Sequence, residues 1–165
     1  MPARFLKMNV CIRDITPNDL PAVIELLREF ADYEDLSDYC TVTEPRLLSA
    51  MFGDNAVVEG LIAIDVETPI GYALFYPNFS SFRGERGIHL DDIYITREYR
   101  GKGIGEAMLR EIARTAASRG YERIDFQVLD WNTSARDFYK RLGAVCNDEE
   151  THFKFAGRAF ERLAS

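Results

Sequence analysis

The stretch Tyr94-Ile95-Thr96-Arg97-Glu98-Tyr99-Arg100-Gly101-Lys102-Gly103-Ile104-Gly105 decides how the chain is read. The apolar run 88–95 leads into it, and residues 103–119 leave it with Ile104, Met108, Ile112 and Ala116 on one helical face. The spacing predicts a strand, a tight turn and a helix. Three glycines in alternate positions let backbone N–H groups converge on one point. With the helix macrodipole behind them, those donors suit an anion the size of a pyrophosphate. Arg100 and Lys102 add positive charge there. The turn lacks the Gly-Lys-Ser/Thr of a P-loop, and its third glycine comes too soon for the dinucleotide fingerprint. A merely flexible turn is the alternative, and the strand-to-helix setting with its flanking cations argues for phosphate.

Upstream, residues 10–12 read as a short strand. Thr16-Pro17-Asn18-Asp19 opens a helix with a Thr N-cap, Pro at the first position and an acid three residues after the cap. Leu20, Val23, Ile24, Leu27 and Phe30 form its apolar stripe, with Tyr33-Glu34-Asp35 in a polar connection just beyond. Thr43-Glu44-Pro45 opens a second helix carrying Leu47, Leu48 and Met51 and stopping at Gly53. Residues 56–65 and 70–76 read as strands around a Glu-Thr-Pro turn, and residues 77–87 as a polar loop. Downstream, Gly120 stands as C′ of the helix, residues 124–129 as a strand, and residues 132–142 as a helix ended by Gly143. Residues 151–160 alternate aromatic and polar side chains as a closing strand would. The order β-α-α-β-β-β-α-β-α-β predicts an α/β fold, a mixed central sheet flanked by helices. No linker or repeat divides it, so residues 1–165 are expected to form a single domain.

The chain's 165 residues carry 20 Lys plus Arg against 27 Asp plus Glu, a formal net charge of −7, with a pI near 4.9. That balance argues against a nucleic-acid partner and allows a cationic ligand. Hydrophobic residues at 47% and charged residues at 28% argue against disorder. No apolar run approaches a membrane span, and Arg4, Lys7 and Asn9 break up any secretory signal. Cys11, Cys40 and Cys146 lie far apart and read as reduced packing thiols of a cytoplasmic protein. His89 and His152 lack neighbouring ligand types, so no metal site is expected.

Arg-Gly-Lys-Gly-Ile-Gly after a strand and a Glu-Tyr resembles the acyl-CoA pyrophosphate loop of the GNAT acetyltransferases. The resemblance covers nearly the whole chain and is narrower than the superfamily. Leu27-Arg28-Glu29-Phe30-Ala31-Asp32-Tyr33-Glu34, His89-Leu90-Asp91-Asp92-Ile93-Tyr94-Ile95, Asp130-Trp131-Asn132 and Asp137-Phe138-Tyr139-Lys140-Arg141-Leu142-Gly143-Ala144 resemble the diamine (spermidine/spermine) N-acetyltransferases. The resemblance implies acetyl-CoA as cosubstrate, no metal, a small primary amine as acceptor and a homodimer.

Acetyl transfer from a thioester to an amine needs the phosphates held, the developing oxyanion met by a fixed donor, the amine neutral and the leaving thiolate protonated. The resemblance assigns the cofactor contacts to Ile93, Tyr94, Ile95, Arg100, Gly101, Lys102, Gly103, Ile104, Gly105 and Asn132, the oxyanion donor being main-chain N–H within Ile93 to Ile95. It places the catalytic tyrosine on Tyr139, whose phenol, with a pKa of about 10, is protonated at neutral pH and matched to a thiolate. Without it, Phe138-Tyr139 reads as an aromatic pair packing a helix. Strand alternation puts Asp91 and Asp92 on opposite faces. The resemblance gives Asp91 the substrate-binding acid, where the family usually has Glu, and leaves Asp92 either to tie down a loop or to take part in catalysis. Tyr33, Glu34 and Glu150 match residues lining the acceptor site, and with Asp91 they would make an acidic groove for a polycation. Phe79-Ser80-Ser81-Phe82-Arg83-Gly84 lacks the acid and the Trp common in polyamine enzymes and looks more like thialysine-acetylating relatives. Arg83 suits an acceptor carboxylate. Direct transfer in a ternary complex is expected. The alternatives are another acceptor, whether a protein amine or an aminated antibiotic, and a CoA-sensing module without catalysis.

Overall fold

Asp19 starts the first helix by collecting four hydrogen bonds. Arg13 donates Nη1 and Nη2 to its two carboxylate oxygens at 2.7 and 2.8 Å, and the Thr16 amide and hydroxyl both donate to Oδ2 at 2.7 Å. The Arg13 guanidinium above all holds the Asp19 carboxyl well below the usual carboxylate range. Thr16-Pro17-Asn18-Asp19 thus forms a 3₁₀ turn (Pro17–Asp19) feeding helix α1 (Leu20–Tyr33). In the computed structural model of the chain, residues 9–147 and 151–165 are described.

The elements run β1 (Val10–Asp14), α1, α2 (Glu44–Phe52), β2 (Glu59–Asp65), β3 (Thr68–Ser80), β4 (Glu85–Ile95), α3 (Ile104–Ser118), β5 (Ile124–Phe126), α4 (Thr133–Arg141) and α5 (Gly157–Ala164). One sheet holds the strands in the order β1-β2-β3-β4-β5. Its first three pairings are antiparallel, and β5 joins β4 in parallel through the α3 crossover. The expected α/β class and mixed sheet are therefore present.

Each face of the sheet has its own apolar layer. Ile62, Tyr72, Leu74 and Tyr94 pack with Leu20, Val23, Ile24, Leu26, Leu47 and Met51 on the α1/α2 face. Ala63, Ile70, Ala73, Phe75, Ile88 and Leu90 pack with Ile104, Met108, Ile112 and Ala116 on the α3 face. Burying a Leu or Ile side chain contributes roughly 1.5–3 kcal/mol, so a one-residue slip of any central strand would be prohibitive.

Three expectations are corrected. The loop expected over 77–87 shrinks to a turn at 81–84: the β3–β4 hairpin continues through Pro77↔Ile88 to Ser80↔Glu85, because strand residues at an exposed hairpin tip need no apolar pattern. The strand expected over 124–129 closes at Phe126. The closing strand over 151–160 is absent; Gly157–Ala164 is helix α5, built from strong helix formers with Phe160 and Leu163 three residues apart. Contacts divide the chain into two units, one up to Gln127 and one from Val128. Among the described residues no helix is long and apolar enough to cross a membrane.

The β2–β3 turn is strained. Asp65 pairs with Thr68, so Val66 and Glu67 make a two-residue connection, and the β-branched Val66 sits at φ +60°. Two-residue hairpins with only the first central residue at positive φ take glycine there. Val66→Gly is expected to stabilise the fold by about 1 kcal/mol, read as a higher urea midpoint at an unchanged m-value. A lower midpoint would refute the strain.

Candidate active site

Strand β4 carries the expected cluster, and its geometry turns on one irregularity. Leu74 pairs with Asp92 and Phe75 with Leu90, so Asp91 is an extra residue without a partner, a β-bulge. The bulge shifts the alternation by one. Leu90 and Ile93 both pack on the α3 face, which leaves both intervening side chains, Asp91 and Asp92, on the α1/α2 face. The expectation that they point to opposite faces is corrected by that insertion.

The two carboxylates differ in setting. Asp91 is exposed, whereas Asp92 is half-buried and accepts a hydrogen bond from the Tyr72 hydroxyl at 3.3 Å. Burial pushes the Asp92 carboxyl up to about 7, the neighbouring Asp91 adds to the rise, and Glu34 adds a smaller part; the Tyr72 bond opposes them. Tyr72 itself is raised, first by burial and then by Asp92, and stays protonated. Tyr76 is raised by burial and by Asp91, and its ring lies 4.9 Å from that of His89. Burial also raises Glu34.

Glu34 reaches this cluster because of how α1 ends. Tyr33 is its last residue, a turn later than the apolar stripe alone indicates, and Asp35 at φ +58° stops it, with the Leu36 amide donating to Ala31. Aspartate tolerates the left-handed conformation better than most side chains. Tyr94, buried beneath α1, stacks on Phe30 at 5.2 Å and donates its hydroxyl to Glu29 Oε1 at 2.7 Å. Its phenol is pushed up to about 12 by burial and Glu29.

Among the described residues, the other edge of β4 is paired over only part of its length. Pairing with β5 covers only Ile88 to Leu90. The Thr96 amide donates to Ile70, so by antiparallel alternation Tyr94 and Asp92 turn their N–H groups toward β3, and Ile93 and Ile95 turn theirs to the open edge. The Ile95 carbonyl on that edge accepts from Arg100 Nε at 2.9 Å.

That edge runs into the glycine turn. After a 3₁₀ turn at Arg97–Tyr99, Gly101 (φ +71°) and Gly103 (φ +81°) are both left-handed, and Gly103 caps α3. A Cβ at either position would meet nothing within 4 Å, so the cradle is open as well as bent. Ile104 and Gly105 lie in the first turn of α3, where amides have no intrahelical acceptor. These features fit a diphosphate. Lys102 sits with Nζ 4.7 Å from the Tyr99 ring centroid, and the Tyr99 hydroxyl donates to Asp65 at 3.0 Å. Arg100 lies over the Tyr33 ring at 4.3 Å and over Tyr94 at 5.2 Å.

In the unit from Val128, Asn132 caps α4, its side chain accepting from the Ala135 amide at 3.1 Å. Tyr139 lies on α4 with its ring 5.1 Å from Phe138 in an edge-on contact. Glu150 lies outside the described residues. Arg83 donates Nε to Glu85 at 3.0 Å, an exposed pair on the hairpin tip. Among the described residues, no group of three His, Cys, Asp or Glu could hold a metal ion. Sequence reasoning missed the Asp92–Tyr72 pair, the Glu29–Tyr94 bond and the seat of Arg100 on Tyr33. The bulge had a signal: the apolar residues of β4 step by two except from Leu90 to Ile93.

Residues 20–144 match the model of the acetyltransferase (GNAT) family. The thialysine N-epsilon-acetyltransferase of Bos taurus is 37% identical over 166 residues, which cover 94% of this chain and 97% of that protein. The spermidine/spermine N(1)-acetyltransferase-like protein 1 of Homo sapiens is 32% identical over 81% of this chain and 20% of its own length. Among solved structures, an integron cassette protein from the mobile metagenome of V. cholerae shares the fold with a TM-score of 0.77 and 24% identity, over 95% of this chain and 98% of that one.

The half-buried carboxylate carries a stability cost whose sign is fixed. The folded chain holds the Asp92 proton up to about pH 7, while the unfolded chain releases it near 4. Between those values the folded state binds more protons, so stability falls as pH rises and levels off above 7. Asp92→Asn should therefore gain roughly 2 kcal/mol at pH 8 and nothing at pH 4, read from urea unfolding at both. An equal effect at the two pH values would contradict the assignment.

Proposed function

The chain belongs to the GNAT acetyltransferase family, and from that premise we propose that it moves acetyl from acetyl-CoA to the primary amine of a small cation: a diamine, a polyamine or a thialysine-like amino acid. The observation that carries this reading is the bulge of β4. It sets two carboxylates, one exposed and one half-buried, beside a strand edge that β5 leaves unpaired among the described residues and that leads directly into the glycine turn. The name of the Bos taurus relative supports the amino-acid acceptor, that of the human protein the polyamine.

In this reading Gly101 to Gly105, with Lys102, hold the diphosphate of acetyl-CoA, and the N–H of Ile93 meets the oxygen that becomes negative as the amine nitrogen bonds to the thioester carbon. Asp91 and Glu34 attract the ammonium group, and Tyr33 lines the same end of α1. Asp92 takes the proton that the ammonium must lose, a task suited to a carboxylate titrating near the working pH. The C–S bond breaks as Tyr139 gives its proton to the sulfur, and the second proton that the nitrogen loses on becoming an amide restores the phenol. Asn132 is assigned a contact with the cofactor in addition to its cap. Transfer is direct, in a ternary complex. We take residues 1–165 as one acetyltransferase domain, since the family model crosses the junction at 127/128. We also propose a homodimer in the cytoplasm without a nucleic-acid partner, the last in keeping with the acidic pI.

Free-thiol release from acetyl-CoA, measured over spermidine, putrescine, thialysine, lysine and an aminoglycoside, tests the acceptor. One of the first three is expected to give the highest kcat/KM; turnover with the aminoglycoside alone would refute the class. For the preferred amine, kcat/KM should fall below an apparent pKa near 7, and Asp92→Asn should lower it by about 10²–10³-fold while erasing that limb. Tyr139→Phe is expected to lower kcat by about 10²-fold without raising the KM for acetyl-CoA. Full turnover by that variant would remove Tyr139 from the reaction.

A further inference from the structure

Charge alone does not explain where Arg100 sits. Its guanidinium carbon is 4.3 Å from the ring centroid of Tyr33 and 5.2 Å from that of Tyr94, while Nε donates to the Ile95 carbonyl at 2.9 Å. Tyr94 in turn stacks on Phe30 and donates to Glu29. Phe30 and Tyr33 lie three residues apart on the last turn of α1, on neighbouring surface positions. One guanidinium thus bridges the end of α1 and the end of β4.

The glycines that follow offer no packing of their own, since nothing lies within 4 Å of where a side chain would begin at Gly101 or Gly103. Beyond them Ile104 is buried in the α3 layer; before them the turn takes its position from two residues. Tyr99 supplies one anchor through Asp65, and Arg100 supplies the other. The residue that follows Tyr33 is Glu34, whose carboxylate adds to the field at Asp92.

We infer that Arg100 is a positioning residue: stacked on Tyr33 and Tyr94, it pins the glycine turn to the C-terminal end of α1 and so couples the phosphate cradle to the acceptor carboxylates. This rests on the reading that the turn holds the diphosphate of acetyl-CoA. A planar guanidinium is required, because lysine offers neither the stacking face nor the Nε donor beside it. Preorganising the turn this way lowers the ordering cost of binding.

The test compares acetyl-CoA KM, amine KM and CoA titration calorimetry across four variants. Tyr33→Leu, remote from the phosphates in sequence, is expected to raise the KM for acetyl-CoA about 5–10-fold, the size of a partly exposed cation–π contact. Tyr33→Phe keeps the ring and restores that KM, whatever it does to the amine. Arg100→Lys raises it as well, leaves α1 untouched, and covers the case in which Tyr33→Leu lowers Tm. The double variant Tyr33→Leu/Arg100→Lys should be no worse than Arg100→Lys alone, as two halves of one contact must be. Effects that multiply, or a Tyr33→Leu change confined to the amine KM, would overturn the coupling. No heat from CoA with the unmodified protein overturns the reading of the turn and the coupling with it. Equal heat and affinity with and without Tyr33→Leu overturns the coupling alone.

Discussion

A single unpaired residue organises the candidate site. Asp91 has no partner in β3, and that one insertion has three consequences at once. It turns two consecutive carboxylates to the same face, it leaves Leu90 and Ile93 both in the α3 layer, and it coincides with the end of β5 pairing. Without the bulge, strict alternation would bury one aspartate in the apolar layer beneath α3, an arrangement that costs several kcal/mol for an unpaired charge.

The same insertion sets the electrostatics. Two carboxylates side by side, one exposed and one half-buried, repel each other, and that repulsion adds to burial in favouring a proton on Asp92. The half-buried Asp92 carboxyl is raised, and the Tyr72 hydroxyl beside it limits the rise without abolishing it. Stability is given up at Asp92 for a group that titrates in the working range, the usual bargain at functional sites. The apolar layer on the α1/α2 face supports this arrangement: Tyr72 is fully buried, so packing fixes the ring that carries the hydroxyl to Asp92.

What could be read from the amino-acid sequence followed from local rules. Left-handed Gly101 and Gly103 announce themselves because few other residues adopt that conformation, and the stripes of α1 and α3 are strong 3.6-residue patterns. The β3–β4 hairpin beyond Pro77 was hidden because exposed strand pairs carry polar residues on both faces, as loops do. Aromatic–polar alternation over residues 151–160 points to a strand, but Gly157–Ala164 obeys helix propensity instead. Asp92–Tyr72 and Arg100–Tyr33 join residues 20 and 67 positions apart, and no local pattern encodes such pairs. Only the three-residue step from Leu90 to Ile93 reported the bulge in advance.

The fold also divides its labour between the two faces of the sheet. On the α3 face every inward residue of β4 is aliphatic, and that layer holds the helix whose N-terminus meets the glycine turn. On the α1/α2 face β3 and β4 present Leu74 together with Tyr72, Tyr76, His89, Asp92 and Tyr94, and all of these but Leu74 reach a polar partner or another ring. Changes of acceptor can therefore be made on the α1 side without loosening the helix that carries the cradle. Arg100 is the exception to that separation. It leaves the cradle side, crosses the end of β4 and ends against Tyr33, so a change at the end of α1 made for the acceptor is felt by the turn as well.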